Sequence, residues 1–531
     1  MNRSLKSLLL ALIPLVFLSC ENEVNLDVPK NQTQQEQDGG EITTDKTNTA
    51  DSTENASSND DNKAPVTSET LDGISGSGIT TTKPIISYFV QAPLNNIDQA
   101  TIDEIKSRTK YDAREDNLVT EIKDQGRYGT CWAHAAASVI ESSMIKKNLA
   151  TKENVNLSEE FLVYYQYCRV PAPIGGLPTD ASAFPTYLTD QILREGGLPS
   201  ELMNALFAWV GVVDETDYPD ITEASILNID TKKAYEKQAT LVTGAATIPA
   251  NVGIENMENA IAGMKEAIAR YGSVATAYNV SPYYSNKYFN SQSYGQYYYN
   301  STPGTNHAIT IIGWDDDFNE FGNVKPPKSG AWLVRNSYGD DWGDKGYCWL
   351  SYYDTTIALR AVYYDVTDVK EYDNNYQYDD ASRWSENIGT GSSMELQTAN
   401  IYTAQGDEDL KAVQFAMVYP NRDYDIDIYL GVKDSPTSGQ RVTTVEGSPL
   451  PQGRHTIRLS TPIQLKKGER FSVVVTYRGV NEGETPSAEY ESAKNILPGQ
   501  SFYRLNSSYE WNDMYTEGKG NLRLKVFTKN R

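Results

Sequence analysis

The chain has 531 residues, a formal charge of −24 at pH 7 and 39% apolar residues. That length suits two or three domains with tails, and the acidic balance disfavours nucleic acid or an anionic membrane surface as partner. Histidine is confined to His134, His307 and His455 and cysteine to Cys20, Cys131, Cys168 and Cys348, so imidazole chemistry has few candidates and neither a disulfide scaffold nor a zinc motif is spelled.

Residues 1–20 join a basic start (Arg3, Lys6) to an apolar run, Leu8 to Leu18, and Ser19-Cys20. This is the pattern of a secretory signal peptide, too short for a spanning helix. Its end resembles a bacterial lipobox, which implies cleavage before Cys20 and lipidation of its thiol; Phe17-Leu18-Ser19 is looser than the usual Leu-Ala-Gly, and an ordinary signal peptide is the alternative. Glu21 and Glu23 resemble the surface-export signals of Bacteroides-group lipoproteins. Residues 21–86 contain no aromatic residue and are rich in Thr, Asn, Asp, Ser, Gln and Glu, so they bury too little apolar surface to fold. As a coil of roughly 65 residues this tether spans about 45 Å.

Folded structure is expected over 87–370, beginning with a short segment, 87–110, that carries a helical pattern from Ile97 to Ile105. Gln125-Gly-Arg-Tyr-Gly-Thr-Cys131 then runs into the Ala-rich stretch Ala133 to Ile140, which reads as a helix with Cys131 at its start. Unpartnered N–H groups and partial positive charge at a helix start favour the thiolate, the reactive form of cysteine. Gln125 stands on a turn able to bring an amide N–H beside the sulfur. Asn156-Leu-Ser-Glu-Glu is a helix start. Further helices are expected over Tyr187 to Arg194 and over Met257 to Tyr271, ending at Gly272. Short apolar strands follow: Ala308 to Gly313 with His307 at its start, Ala331 to Asn336, and Tyr347 to Tyr353. From 371 to 531 the runs Val413-Phe415-Met417-Tyr419, Phe471-Val473-Val475-Tyr477 and Leu522-Leu524-Val526 alternate with period two, which describes an antiparallel β-sandwich. The fold class is therefore α+β, with the change of texture at 367–380.

Four blocks belong together: Gln125 to Ala133, Asn306-His307-Ala308-Ile309, Arg335-Asn336-Ser337-Tyr338-Gly339, and Trp342-Gly343-Asp344-Lys345-Gly346-Tyr347. In order and kind they resemble the papain family of cysteine peptidases over residues 111–365, with support from Leu157-Ser-Glu-Glu, Asp217-Tyr-Pro219 and Gly272-Ser-Val. The resemblance implies a two-lobed catalytic domain with Cys131 as nucleophile, His307 as base, Asn336 orienting the imidazole, and Gln125 with the Cys131 N–H as oxyanion hole. It also implies substrate contacts at Gly175, Gly176, Tyr338 and Trp342. The residue types agree on their own account, since a thiolate needs a base and His307 is the one histidine of this region outside the Cys131 helix.

Departures are informative. Tyr128 stands where the family has a cysteine, and the stretch that holds its usual disulfide partner, here Leu162-Val-Tyr-Tyr165, lacks one too. Cys168 and Cys348 are then buried thiols or bridged to each other. Tyr338 replaces the Trp that shields the His–Asn pair in the family. Insertions around 199–216 and 281–303 lengthen the path from Cys131 to His307 and are expected to reshape the cleft. His134, one helical turn from Cys131, is either a packed histidine or a pH-sensitive neighbour of the thiol. Only a short segment precedes Tyr111-Asp-Ala-Arg114, so control by removal of a long inhibitory pro-segment is not expected.

Residues 371–531, through Ala399-Asn-Ile-Tyr-Thr-Ala404, Pro436-Thr-Ser-Gly439 and Gly453-Arg-His-Thr-Ile457, resemble the lectin-like domain found behind papain-type domains in some bacterial surface peptidases, which implies a glycan or another surface ligand. Asp423, Asp425 and Asp427 share one strand face, either solvated or a Ca²⁺ site; no other cofactor is implied. The reading is a lipid-anchored cysteine endopeptidase of the bacterial cell envelope, acting on proteins or peptides and touching membrane only through its anchor. A surface adhesin on a retired peptidase fold and an acyl transferase with the same nucleophile remain open.

Overall fold

In the computed structural model the described residues are 98–167, 190–210, 212–218, 222–229, 239–251, 253, 256–299, 304–379, 385–389, 395–419, 423–447, 449–479, 486–491 and 496–531. The signal, the tether, Cys168, Gly175 and Gly176 lie outside them.

The first half holds five helices among the described residues: α1 (Gln99–Ser107), α2 (Cys131–Lys146), α3 (Glu159–Tyr167), α4 (Met203–Phe207) and α5 (Met257–Tyr271). Its strands are β1 (Lys110–Asp112), β2 (Leu241–Pro249), β3 (Val274–Tyr278), β4 (Phe289–Asn290), β5 (Gly295–Gln296), β6 (His307–Asp315), β7 (Ala331–Arg335), β8 (Tyr347–Ser351) and β9 (Arg360–Thr367). Helix α2 is buried along nearly its whole length, as its Ala-rich composition requires of a central helix, and it packs against β6 and β9. The Ser158 hydroxyl caps α3 by accepting from the Phe161 N–H at 3.2 Å. Helix α5 closes at Gly272, whose φ of +91° directs its N–H onto the Ile268 carbonyl. The helix expected over Tyr187 to Arg194 is described only as a single 3₁₀ turn, Asp190–Leu193.

The second half is sheet: β10 (Asn374–Tyr376), β11 (Ser385–Gly389), β12 (Glu395–Thr403), β13 (Glu408–Met417), β14 (Asp423–Leu430), β15 (Gln440–Gly447), β16 (Gly453–Leu465), β17 (Arg470–Arg478), β18 (Ser487–Glu491), β19 (Ser501–Arg504), β20 (Asn512–Asp513) and β21 (Leu524–Asn530). The layer β10-β21-β13-β16 faces the layer β15-β14-β17-β12-β19-β20. Val413, Phe415 and Met417 of β13, Ile426 and Ile428 of β14, and Phe471, Val473 and Val475 of β17 fill the space between them. The expected sandwich alternation is present: Tyr424, Ile426 and Ile428 are buried while the aspartates between them face outward.

Pattern alone does not announce that the two halves share one sheet. Gly453 and Arg454 of β16 pair antiparallel with Ala246 and Ala245 of β2, so the order runs β10-β21-β13-β16-β2-β9-β3-β6-β7-β8-β5-β4. A Cβ on Gly453 would collide with the Ala245 carbonyl and with Ala246, so the crossing requires glycine. The insertion at 199–216 builds this junction through residues 207–209, while its end places Glu215 against Lys123. Asn375 and Gln377 donate their amides to the Phe207 and Ala208 carbonyls at 3.0 and 3.3 Å. Trp209 lies on Phe527 and Tyr372, with ring centroids 5.1 and 6.5 Å away. Among the described residues no helix is long and apolar enough to cross a membrane.

Candidate active site

Helix α2 delivers Cys131 at its first turn, and its cap residue Thr130 makes no side-chain capping bond, so the amide end is left to the sulfur and its surroundings. Cys131 is 2% exposed. Its Sγ accepts from the Ala308 N–H at 3.4 Å, a donor supplied by the first residues of β6. His307 opens that strand, paired with Tyr278 of β3, and is buried beside α2.

Asn336 follows the last residue of β7, which pairs with β6 and so returns to His307. His307 Nε2 lies 2.7 Å from Asn336 Oδ1. The same oxygen accepts the Ser337 backbone N–H at 2.7 Å. A backbone N–H only donates, which identifies the amide atom as oxygen and places the imidazole proton on Nε2. Nδ1 is thereby the nitrogen left to exchange a proton. Burial pushes His307 down to about 4, opposed by its bond to Asn336 and assisted by His134. An isolated charge on this ring is unfavourable, so an imidazolium here requires a thiolate beside it.

Gln125 is held on the segment carrying Asn336. Its N–H donates to the Ser337 carbonyl at 2.8 Å, its Oε1 accepts from Ser337 Oγ at 2.7 Å, and its Nε2 donates to the Tyr128 carbonyl at 2.7 Å. One Nε2 hydrogen remains for a ligand. Tyr338 stacks on His307 with centroids 4.5 Å apart at 25°, and its hydroxyl is 3.1 Å from Nδ1. Trp342 meets Tyr338 edge-on at 5.7 Å. The insertion at 281–303 does reach this edge, since Tyr283 stacks on Trp342 at 4.9 Å.

A buried charge cluster behind these groups is absent from the sequence reading. Lys123 Nζ bonds Glu159 at 2.9 Å, Glu215 at 2.5 Å and the Leu157 carbonyl at 2.6 Å. Arg335 donates to Ser138 at 2.5 Å and to the Glu121 carbonyl, and Glu141 accepts from Thr120 at 2.6 Å and from the Leu157 N–H at 2.9 Å. Burial raises Glu159 to about 7 against the pull of Lys123. Lys123, His134, Ser138, Glu141, Arg335 and Asn336 line a cavity behind the histidine. The signal available in sequence was Arg335, a lone charge ending an apolar strand directly before Asn336.

The remaining candidates are placed as follows. His134 is buried, bonds the Thr130 carbonyl through Nδ1 at 3.0 Å, and is pushed by burial to about 4. Cys348 is a reduced thiol inside β8, its pKa raised to about 12 by burial. His455 faces the Pro451 carbonyl at 2.8 Å, far along the chain from the cleft residues. Asp425 pairs with Arg478, and Asp427 bonds Thr444 and lies 3.6 Å from Arg441, so arginines meet two of the three carboxylates. Among the described residues no three His, Cys, Asp or Glu gather as a metal site. Residues 98–110 avoid the cleft: Lys106 pairs with Glu266 and Gln99 with Arg270 on α5, and β1 joins β6 at Asp315. That end of the strand is about 26 Å from His307 at the usual rise.

Residues 107–364 match the papain family cysteine protease profile, and residues 375–528 match the lectin like domain. A viral cathepsin of Adoxophyes honmai nucleopolyhedrovirus is 27% identical over 238 residues, 45% of this chain and 55% of the relative. The thiol protease aleurain of Arabidopsis thaliana is 28% identical over 263 residues, 48% of this chain and 57% of the relative. The chain thus spans little more than half the length of these relatives. Among solved structures, the clostridial cysteine protease Cwp84 after propeptide cleavage superposes with a TM-score of 0.63 at 22% identity, over 80% of this chain and 99% of that one. A second structure, of the cysteine protease and lectin-like domains of Cwp84 from Clostridium difficile, gives 0.62 at 23% identity, over 80% of this chain and 89% of that one. That likeness extends the shared fold through both halves. Residues 107–364 thus carry the papain family cysteine protease pattern on a papain-like fold, and residues 375–528 carry the lectin like pattern on two facing sheets.

Proposed function

We propose that this protein is an endopeptidase that hydrolyses protein substrates through Cys131. The observation that carries the reading is the Asn336–His307 pair, which leaves Nδ1 as the proton-exchanging nitrogen, with the thiol of a helix start held against the N–H of the next residue, Ala308. Cys131 gives its proton to His307 Nδ1, and Sγ attacks the scissile carbonyl carbon. The carbonyl oxygen gains the negative charge and takes hydrogen bonds from the Cys131 N–H and the free Nε2 hydrogen of Gln125. His307 returns the proton to the leaving nitrogen as the C–N bond breaks. Water, deprotonated by His307, then attacks the thioester; the acid leaves and the thiol is restored. Tyr338 and Trp342 wall the side where the leaving group departs, since that side is the one nearest the proton donor. Gly175 and Gly176 are assigned to the substrate backbone.

Work at the bacterial cell surface is part of this proposal, with a lipid on Cys20 as the anchor; the sequence pattern at residues 1–20 supports it, and Cwp84 is itself described as a surface layer associated protein. The lectin-like domain is assigned a glycan or other surface ligand. An epoxysuccinyl thiol inhibitor tests the site: one label on Cys131, located by peptide mass, lost in His307→Ala and kept in His134→Ala. Unlabelled, folded protein refutes an active peptidase. Release of peptides from a denatured protein substrate, with no amine adduct when an amine acceptor is added, separates cutting from acyl transfer.

A further inference from the structure

We propose that Glu223 is a positioning residue for the oxyanion hole, clamping the turn between Gln125 and Cys131 through Tyr128 and Arg127. The proposal rests on the role assigned above to Gln125. That side chain is aimed from within the turn: its Nε2 gives one hydrogen to the Tyr128 carbonyl at 2.7 Å, so the direction of the other hydrogen follows where Tyr128 stands. Glu223 fixes Tyr128 from outside the turn. Its Oε2 accepts from the Tyr128 hydroxyl at 3.0 Å, and its Oε1 accepts from Arg127 at 2.5 Å and from Arg194 at 3.3 Å. An ionised carboxylate accepts on both oxygens, so one side chain holds two successive residues of the turn and a third residue beside it.

Residues 126–129 have few other ties. The Gly126 N–H donates to Asp124 Oδ1 at 2.8 Å, the Tyr128 N–H reaches the Gln125 carbonyl only at 3.4 Å, and the Gly129 N–H donates to the Leu193 carbonyl at 2.8 Å. Leu193 and Arg194 precede the insertion at 199–216 and Glu223 follows it, so segments from both ends of the inserted stretch close on the turn. The backbone N–H of Glu223 and then the Tyr128 hydroxyl hold the Glu223 carboxyl below the usual carboxylate range, so the acceptor is ionised at neutral pH. The Arg127 side chain is 66% exposed, and water weakens its pair with Glu223. Tyr128 instead packs half-buried against the core, so its hydroxyl bond is the arm through which the clamp reaches Gln125.

The test compares two rates in the full chain, hydrolysis of a fluorogenic peptide and alkylation of Cys131 by iodoacetamide, for the parent, Glu223→Ala, Tyr128→Phe and the double variant. Hydrolysis passes through an oxyanion and alkylation does not. Each single variant should lower kcat about five-fold, the factor of one hydrogen bond to a charged group reduced for its partial exposure, with KM and the alkylation rate within two-fold of the parent. The double variant should be no worse than Glu223→Ala, because the two residues act through one bond. Tyr128→Phe removes a single oxygen, and it decides the matter if Glu223→Ala misfolds. Parental kcat in either folded variant, alkylation falling in step with kcat, or additive losses in the double variant overturn the proposal and leave the peptidase reading standing. A folded parent that is alkylated at Cys131 yet hydrolyses no peptide would instead remove that reading and the proposal with it.

Discussion

Ser337→Ala is expected to damage the oxyanion hole without touching the nucleophile. Ser337 Oγ is a donor to Gln125 Oε1 at 2.7 Å, and Gln125 is 9% exposed, so little water can replace it. Leaving one buried acceptor without its donor costs about 1–3 kcal/mol. Gln125 keeps two other ties, to the Ser337 and Tyr128 carbonyls, so the lower half of that range applies. About 1–2 kcal/mol corresponds to a fall of roughly 5- to 30-fold in kcat/KM for a peptide substrate. Gln125→Ala sets the ceiling, about 100- to 1,000-fold, as for loss of a whole oxyanion donor. The double variant should be no worse than Gln125→Ala, because Ser337 acts through that amide. Asn336 is spared, since it is held by the Ser337 backbone N–H, which alanine retains. Alkylation by iodoacetamide forms no oxyanion and should proceed at the parental rate. Hydrolysis within two-fold of the parent, or alkylation falling in step with hydrolysis, would refute this account of Gln125.

Trp209→Ala should cost about 2–3 kcal/mol, below the full-core value because the ring is only half-buried, and should split one calorimetric unfolding transition into two by loosening the junction at Phe527 and Tyr372; a single transition at the parental temperature would count against a shared structural unit. Burial pushes His134 down to about 4 in the folded chain from the ordinary 6.5, so the unfolded chain takes the proton first and stability falls as pH drops from 6.5 through 4. That share amounts to about 3 kcal/mol at the acid end, and His134→Phe should lose less melting temperature than the parent between pH 7 and 4.5. Cys348, whose thiol burial holds near 12, should resist alkylation at pH 8 in the native state and react after denaturation, as read by peptide mass.

The residues proposed for catalysis were legible because each sits in a short block that one element carries whole. Cys131 begins a helix, His307 begins a strand, and Asn336 follows the end of the strand paired beside it. Residue type and order therefore sufficed, with no need to know the packing. The charge cluster was not legible because Lys123, Glu159 and Glu215 are the residues a sequence reader assigns to solvent, and only the fold brings them under α2. The place of the insertion at 199–216, expected to reshape the cleft, was hidden for a related reason. Inserted length is visible in a sequence, but the side on which it lands depends on β2 meeting β16. Tyr338 was read by its ring, as a substitute for Trp, and that ring does stack on His307.

Sharing a sheet connects the lectin-like domain to the strand that begins with His307. From Gly453 on β16 the ladder crosses β2, β9 and β3 to reach β6, whose first residue is His307. The steps differ in width, two residue pairs from β16 to β2 and one, Ala275 with Val362, from β9 to β3, and the sandwich forms the far edge of the sheet that holds the imidazole. The opposite edge is β7, β8, β5 and β4, which carry Asn336 at the end of β7 and Phe289 beneath Tyr283. His307 thus begins an interior strand of one continuous sheet, paired with Tyr278 of β3, while β7 joins that strand from Thr310 onward and Cys131 is held by a buried helix lying across it. Thiol and imidazole belong to different elements, so their separation depends on how α2 seats on β6. The Lys123–Glu159 and Arg335–Ser138 bonds fasten that seat: Lys123 ties the Gln125 turn to α3, and Arg335 ties β7 to α2. The buried charges thereby brace the elements that carry Gln125, Cys131 and Asn336.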